Sequence, residues 1–475
     1  MSFRRHALPF LIHLAALGAR GVRAQEALTL ESAVQLALRQ NRELARLAAE
    51  HERAWLDRAA AENEFALRIR PAAAVGAQQD APTQQLGVDL LKRVEWGTDL
   101  EFGGAVLRSE TPAGDATVRN SVHLQISQPL FRYAGRLLNR EPIVRAASRI
   151  QASLRSLELK KSDVALQVIQ TYTDIIRLEQ QARLEQAALD RLDRLRRLTQ
   201  ARARQGRATQ VDVLRVDSQV GEAESRARAA AERMAALRLD LAESLGLTPG
   251  VQLQLEPPPL PVEPPPPLET ALAAAFENRL DLAQIMRDYQ DVRRGLRIAR
   301  RMLQPDLKLV ARVDRFADGP TFSEAAGLEE TGWSIGLRLD SDPIGGRERI
   351  AYRQAELDER TAGDDVETTR RLVERQVRQQ LLQAGHAQAE IELARKNRAV
   401  ADGRRRLAQR FFEMGRSDPF SVSDAEQQFQ QAETAWLNAQ YEAALAMFRL
   451  RRVTGSLVES PGELKPEPAA DKSAQ

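Results

Sequence analysis

The chain has 475 residues, with 69 lysines and arginines against 66 aspartates and glutamates, and no cysteine. The missing cysteine excludes disulfide frameworks, thiolate chemistry and cysteine-linked lipid anchors. Setting aside residues 1–24 removes four arginines and no acids, which leaves a net charge of about −1 and excludes the cation surplus that nucleic-acid binding needs.

Residues 1–24 read as a secretory signal peptide: Arg4 and Arg5, an apolar stretch from Ala7 to Ala19, then the small-x-small site Val22-Arg23-Ala24. No apolar stretch is long enough for a membrane-spanning helix. The exported chain is therefore periplasmic, secreted, or set in a membrane as a β-barrel.

Next comes Leu30-Glu31-Ser32-Ala33, which returns as Leu268-Glu269-Thr270-Ala271 at an offset of 238; Glu43-Leu44 and Asp281-Leu282 keep that offset. An acid near each start suits the positive end of a helix. Strands are expected within about 67–130 and again within about 306–341. Val122, Leu124 and Ile126 alternate with polar residues, as do Leu307, Leu309, Ala311 and Val313, and Trp333, Ile335, Leu337 and Leu339. Such alternation fits either a half-buried sheet or a barrel wall, and the export signal favours the barrel. Pro71 to Pro129 spans 58 positions and Pro305 to Pro343 only 38. The surplus, including Val88 to Leu107, can lengthen strands, form a surface loop or add a hairpin. About four strands per chain are expected.

From Ile143 to Gln205 neither Gly nor Pro occurs, and apolar residues recur at alternating spacings of four and three, among them Ile150, Leu154, Leu157, Val164, Val168, Ile175 and Leu178. That is a coiled-coil seam on a helix roughly 95 Å long. Helices follow over 207–245, 347–414 and 420–454. Gly206 and Gly415 interrupt the two helical pairs 209 positions apart, and Gly246 and Gly455 keep the same spacing. One helical hairpin is thus used twice, over 25–255 and 268–457. Residues 256–267 form a proline-rich spacer, and 458–475 read as a disordered tail.

The expected fold is mainly α with a β part: two tandem repeats of long antiparallel coiled-coil helices plus about four strands. Four strands cannot close a barrel, which starts at about eight, and an open edge is not tolerated in lipid. Three copies sharing one sheet would supply twelve. This arrangement resembles the outer-membrane efflux family, the TolC-like channels, over nearly all of 25–457. The matching pieces are Leu30 to Leu44 with its echo, Gln128-Pro129-Leu130-Phe131 leading into the long helix, and Gly206 followed six residues later by Asp212-Val213-Leu214.

The resemblance implies a homotrimer with a twelve-stranded barrel in outer-membrane lipid and an α-helical barrel in the periplasm. It also implies partnership with a periplasmic adaptor and an inner-membrane pump. Gly206, Arg207, Thr209, Gly415 and Arg416 take the family's adaptor-docking helical tips. Asp212 and Asp424 take its pore constriction, where three copies of an aspartate form a negative ring. Ser421 stands where the family often carries an acid. Arginines around both tips, from Arg194 to Arg207 and from Arg404 to Arg416, form a basic zone that is either a solvated face or a steering surface.

His51, His123 and His386 lack metal-ligand spacing, and no phosphate loop or nucleophile elbow occurs. No cofactor, metal site or enzymatic activity is expected. The alternative to a channel is a soluble periplasmic coiled-coil adaptor or structural protein.

Overall fold

The computed structural model describes residues 28–466, apart from 79–80, 111–115, 207, 249–250, 252, 261–262 and 341–345. The expected signal peptide lies outside the described residues. The chain divides into two compact units. One comprises Met1–Ala45, Lys160–Ala275 and Arg375–Glu459; the other comprises Arg46–Leu159, Phe276–Glu374 and Ser460–Gln475.

In chain order the elements are α1 (Leu30–Gln40), α2 (Arg42–Asn63), β1 (Arg68–Gln78), β2 (Ala81–Arg93), β3 (Asp99–Glu110), β4 (Ala116–Pro129), the short α3 (Arg136–Asn139) and α4 (Glu141–Arg204). They continue with α5 (Gln210–Ser244), α6 (Leu268–Asn278), α7 (Leu280–Met302), β5 (Leu307–Gly319), β6 (Glu330–Leu339), α8 (Gly346–Glu413) and α9 (Pro419–Val453). The four long helices are continuous, and α8 runs through Gly363, Gly385 and Gly403 without a break. Tertiary packing rather than intrinsic propensity sustains such helices.

The duplication shows in burial as well as in sequence. Ala33 and Ala37 of α1 are buried, and so are Ala271 and Ala275 of α6, at the same offset of 238. Val213, Val216 and Leu241 of α5 are buried, and so are Val422, Ala425 and Leu450 of α9, at the offset of 209. The turn glycines repeat in conformation: Gly206 and Gly415 have φ of 71° and 72°, Gly246 and Gly455 of 70° and 74°. Only glycine enters that left-handed region freely.

In the first unit, small alanines let α8 and α9 approach closely around Ala384, Ala446, Met447 and Leu450. Leu195, Val216, Phe412 and Val422 join α4, α5, α8 and α9 in one cluster near the tips. The fully buried Tyr172 ties the start of the described chain to the spacer. Its hydroxyl lies 2.6 Å from the Leu28 and Glu256 carbonyl oxygens and accepts from the Glu256 amide at 3.0 Å.

In the second unit a single antiparallel sheet runs in the order β1-β2-β3-β4-β5-β6. The expectation of about four strands is corrected to six among the described residues. The first repeat supplies four and the second two, so the surplus residues add a hairpin. A further correction concerns the expected disordered tail. Its part from 460 to 466 packs into this unit, with Leu464 buried and the Arg155 Nε donating to the Leu464 carbonyl at 3.0 Å. The buried leucine outweighs the polar composition around it.

Candidate functional site: the sheet faces and the helical tips

Cross-strand partners share a face of a sheet, so the register sorts every strand residue. Ile69, Leu90, Phe102, Leu124, Val313 and Trp333 form one row across all six strands. Leu100, Ile126, Ala311 and Ile335 form the next row beside it. Ile69, Phe102, Leu124, Val313, Trp333, Ile335 and Leu337 are all exposed. Among the described residues of this face, charge enters at Lys92, Arg108, Glu110 and Arg315, and the Lys92 ammonium turns to the Phe65 carbonyl at 2.5 Å. An exposed apolar band of this breadth on a soluble face would be a liability; towards acyl chains it is what a barrel wall needs.

The opposite face is polar. Its central row is Arg70, Asp89, Gly103, His123, Asp314 and Gly332. Arg70 pairs with Asp89 at 2.9 Å and approaches Glu101 at 3.7 Å, which lies 3.8 Å from His123. Sequence spacing gave no hint that Asp89, Glu101 and His123 converge, with donor atoms within 4.8 Å of one another. Arg70 already neutralises part of this group. A β-carbon on Gly103 would collide with the Asp89 carboxylate and with the His123 ring, and one on Gly332 would lie 2.6 Å from Asp314 Oδ2. The glycines are therefore the floor on which the neighbouring charges rest.

The β2–β3 turn at Trp96-Gly97 is locked to the connection that follows β4. The Gly135 amide donates to the Trp96 carbonyl at 2.9 Å. Arg136 lies over the Trp96 ring at 4.7 Å and pairs with Glu95 at 3.3 Å. Gly97 has φ 94°, and a β-carbon there would stand 2.6 Å from the Tyr133 carbonyl.

At the tips, α5 and α9 start with the same cap built from exchanged side chains. Thr209 caps α5: its hydroxyl accepts from the Asp212 amide at 3.2 Å, while the Asp212 carboxylate accepts from the Thr209 amide at 2.9 Å and hydroxyl at 2.7 Å. At the offset of 209 Asp418 replaces Thr209 and Ser421 replaces Asp212, and Asp418 accepts from the Ser421 amide at 2.7 Å. Pro419 fits the first helical position, where no amide hydrogen is needed. The Thr209 hydrogen bonds hold the Asp212 carboxyl below its usual range. Asp418 is likewise held low by Ser421, although the negative charge of Asp212 opposes that shift. Asp212 thus shares its electrostatic neighbourhood with Asp418. Asp424 lies further along α9, paired with Arg404 at 2.9 Å and accepting from Gln428 at 3.1 Å.

Gly206 and Gly415 face open space where a β-carbon would point. Arg416 is exposed, and its amide donates to the Phe411 carbonyl at 2.8 Å; Arg207 lies outside the described residues. Much of the basic zone is engaged internally. Arg202 stacks on Phe412 at 3.9 Å and donates to its carbonyl at 2.9 Å. Glu426 sits between Arg191 at 2.7 Å and Arg405 at 3.5 Å, and both guanidinium groups lie over the Phe429 ring.

Residues 271–456 match the family model described as outer membrane efflux protein. That stretch is less than half of the chain, and over it the chain is similar to the family. The match falls on the second repeat, and the offsets of 238 and 209 carry its pattern into the first. No curated protein matches. Among solved structures, the outer membrane protein VceC from Vibrio cholerae is 17% identical, covering 90% of this chain and 96% of its own, with a TM-score of 0.70. The Campylobacter jejuni CmeC outer membrane channel is 14% identical, with 91% and 87% covered and a TM-score of 0.70. The open state of the Neisseria gonorrhoeae MtrE outer membrane channel is 16% identical, with 90% and 89% covered and a TM-score of 0.65. At such identities the likeness establishes the fold. The family that the second repeat matches is one of outer-membrane efflux.

Proposed function

We propose that three copies of this chain close one sheet in the outer membrane and bring their helical hairpins together as a periplasmic tunnel. The assembly serves as the exit duct of a tripartite efflux or secretion system. One observation carries the proposal: an exposed apolar row crosses a sheet whose first and last strands both have an unpaired edge. Lipid cannot satisfy those edges, and six strands fall short of the smallest closed barrel. Identical neighbours complete the ring.

The tips at Gly206, Arg207, Thr209, Gly415 and Arg416 meet a periplasmic adaptor, which links the duct to an inner-membrane pump. Asp212 and Asp424 line the constriction. The proximity of the half-buried Asp212 to Asp418 supports a negative ring there, while Arg404 reduces the weight of Asp424. The exposed apolar row tells against a soluble adaptor.

Fractionation tests the duct. The protein should partition with detergent-soluble outer membrane and crosslink as trimers; recovery as single copies in osmotic-shock fluid would overturn the proposal. For the constriction, Asp212→Ala with Asp424→Ala should raise single-channel conductance and relieve block by multivalent cations. Unchanged conductance would remove both residues from the pore lining.

A further inference from the structure

We infer that the β1–β2 hairpin is part of the barrel wall, so that three copies close eighteen strands and the exit through the membrane is wide. This inference rests on the trimeric duct proposed above. A hairpin folded outside the wall would have no reason to keep its side-chain alternation in phase with the other strands. Yet Ile69 and Leu90 extend the apolar row of β3–β6 without a slip, and Arg70 and Asp89 extend the polar row. A one-residue slip would invert both faces.

The root of the hairpin is also fastened. The Trp96-Gly97 turn between β2 and β3 is held by Gly135, Arg136 and the left-handed Gly97, and Arg70 bonds across to Asp89 and reaches Glu101. The strand count is consistent as well. Six strands alternate in direction, so β6 of one copy meets β1 of the next antiparallel, and the ring closes without a parallel junction.

Barrel diameter grows about linearly with strand number, so eighteen strands enclose roughly twice the cross-section of twelve, in the range where an aqueous channel stays open. The limit on cargo size then falls on the helical tips, and the membrane section passes anything the tips admit, extended polypeptides included.

Because the chain has no cysteine, introduced pairs report without background. Ser334→Cys on the polar face of β6 is combined with Arg68→Cys, Arg70→Cys, Ala72→Cys or Ala74→Cys on β1, in separate full-length variants. A second set combines it with Glu101→Cys, Gly103→Cys or Ala105→Cys on β3. After oxidation in the membrane, at least one β1 pair should give covalent trimers in denaturing gels, and the β3 set should give none. Trimers from the β3 set alone would place the hairpin outside a twelve-stranded wall and overturn the inference. A protein still trimeric to a chemical crosslinker, yet silent in both sets, would overturn it too. A protein monomeric to that crosslinker would instead sink the shared barrel on which the inference rests.

Discussion

Gly206 and Gly246 offer a controlled comparison, because their φ angles are 71° and 70° but their surroundings differ. Nothing lies within 4 Å of a β-carbon built on Gly206, whereas one on Gly246 would stand 2.5 Å from the Gln40 carbonyl oxygen and 3.0 Å from its carbon. Gly206→Ala therefore carries only the left-handed backbone cost, about 1–2 kcal/mol. That should accelerate local opening of the tip roughly 5- to 30-fold, since about 1.4 kcal/mol is tenfold. Gly246→Ala carries the same cost plus the displacement of backbone in a packed junction, about 1–3 kcal/mol more. Hydrogen exchange at the tip amides should report the first change with the thermal midpoint of the purified protein nearly unmoved. The second should lower that midpoint and the yield of assembled protein. Equal effects on the midpoint would refute the reasoning, because they would mean that open space and a backbone collision cost the same. Export lost in Gly206→Ala with assembly intact would point to the partner at the tip.

The caps respond to acid. Asp212 and Asp418 have carboxyls held below the usual range, so their contribution is present above the unfolded value of about 3.9 and is lost as pH falls through the depressed folded value. Exchange at the first turns of α5 and α9, corrected for intrinsic rates, should quicken below about pH 4, and Asp212→Asn should flatten that response in α5 alone. Glu426→Ala leaves Arg191 without its carboxylate, largely out of water, while Arg405 keeps Asp402 at 2.7 Å, and should cost about 3 kcal/mol. The exposed pair of Glu367 and Arg371 at 2.9 Å is the control, and Glu367→Ala should cost under about 0.5 kcal/mol; thermal melts that rank the two alike would contradict this. Tyr172→Phe removes the hydroxyl that joins Leu28 to Glu256 and should cost about 1–3 kcal/mol, with faster proteolysis at the spacer; an unchanged cleavage rate would show that the tie is dispensable.

The long helices were legible because nothing between Ile143 and Gln205 can break one, and the heptad residues Val164, Val168 and Ile175 are indeed buried. β5 and β6 were legible because leucines, valines and isoleucines mark the apolar face. β1 was not: Ala72, Ala73 and Ala74 are small on both faces, so the alternation leaves little trace. Gly103 and Gly104 hide β3 in the same way. At the tips the acid Asp212 was readable, and so was the exchange of Thr209 and Asp212 for Asp418 and Ser421 once the 209 offset is laid over both repeats. The partnership of Asp424 with Arg404 depends on how α8 and α9 pack, which no local pattern encodes. Leu464 was lost among prolines and charges for the same reason.

In the proposed barrel, the two glycines beneath the polar row would shape the bore itself. Asp89, His123 and Asp314 lie down over Gly103 and Gly332 instead of standing upright. The lining at that height is charged yet shallow, more like a coat of paint than a fringe of bristles. A methyl group on either glycine would tip those side chains up from the surface, and the conduit would become rough and narrower with no change in how many strands enclose it.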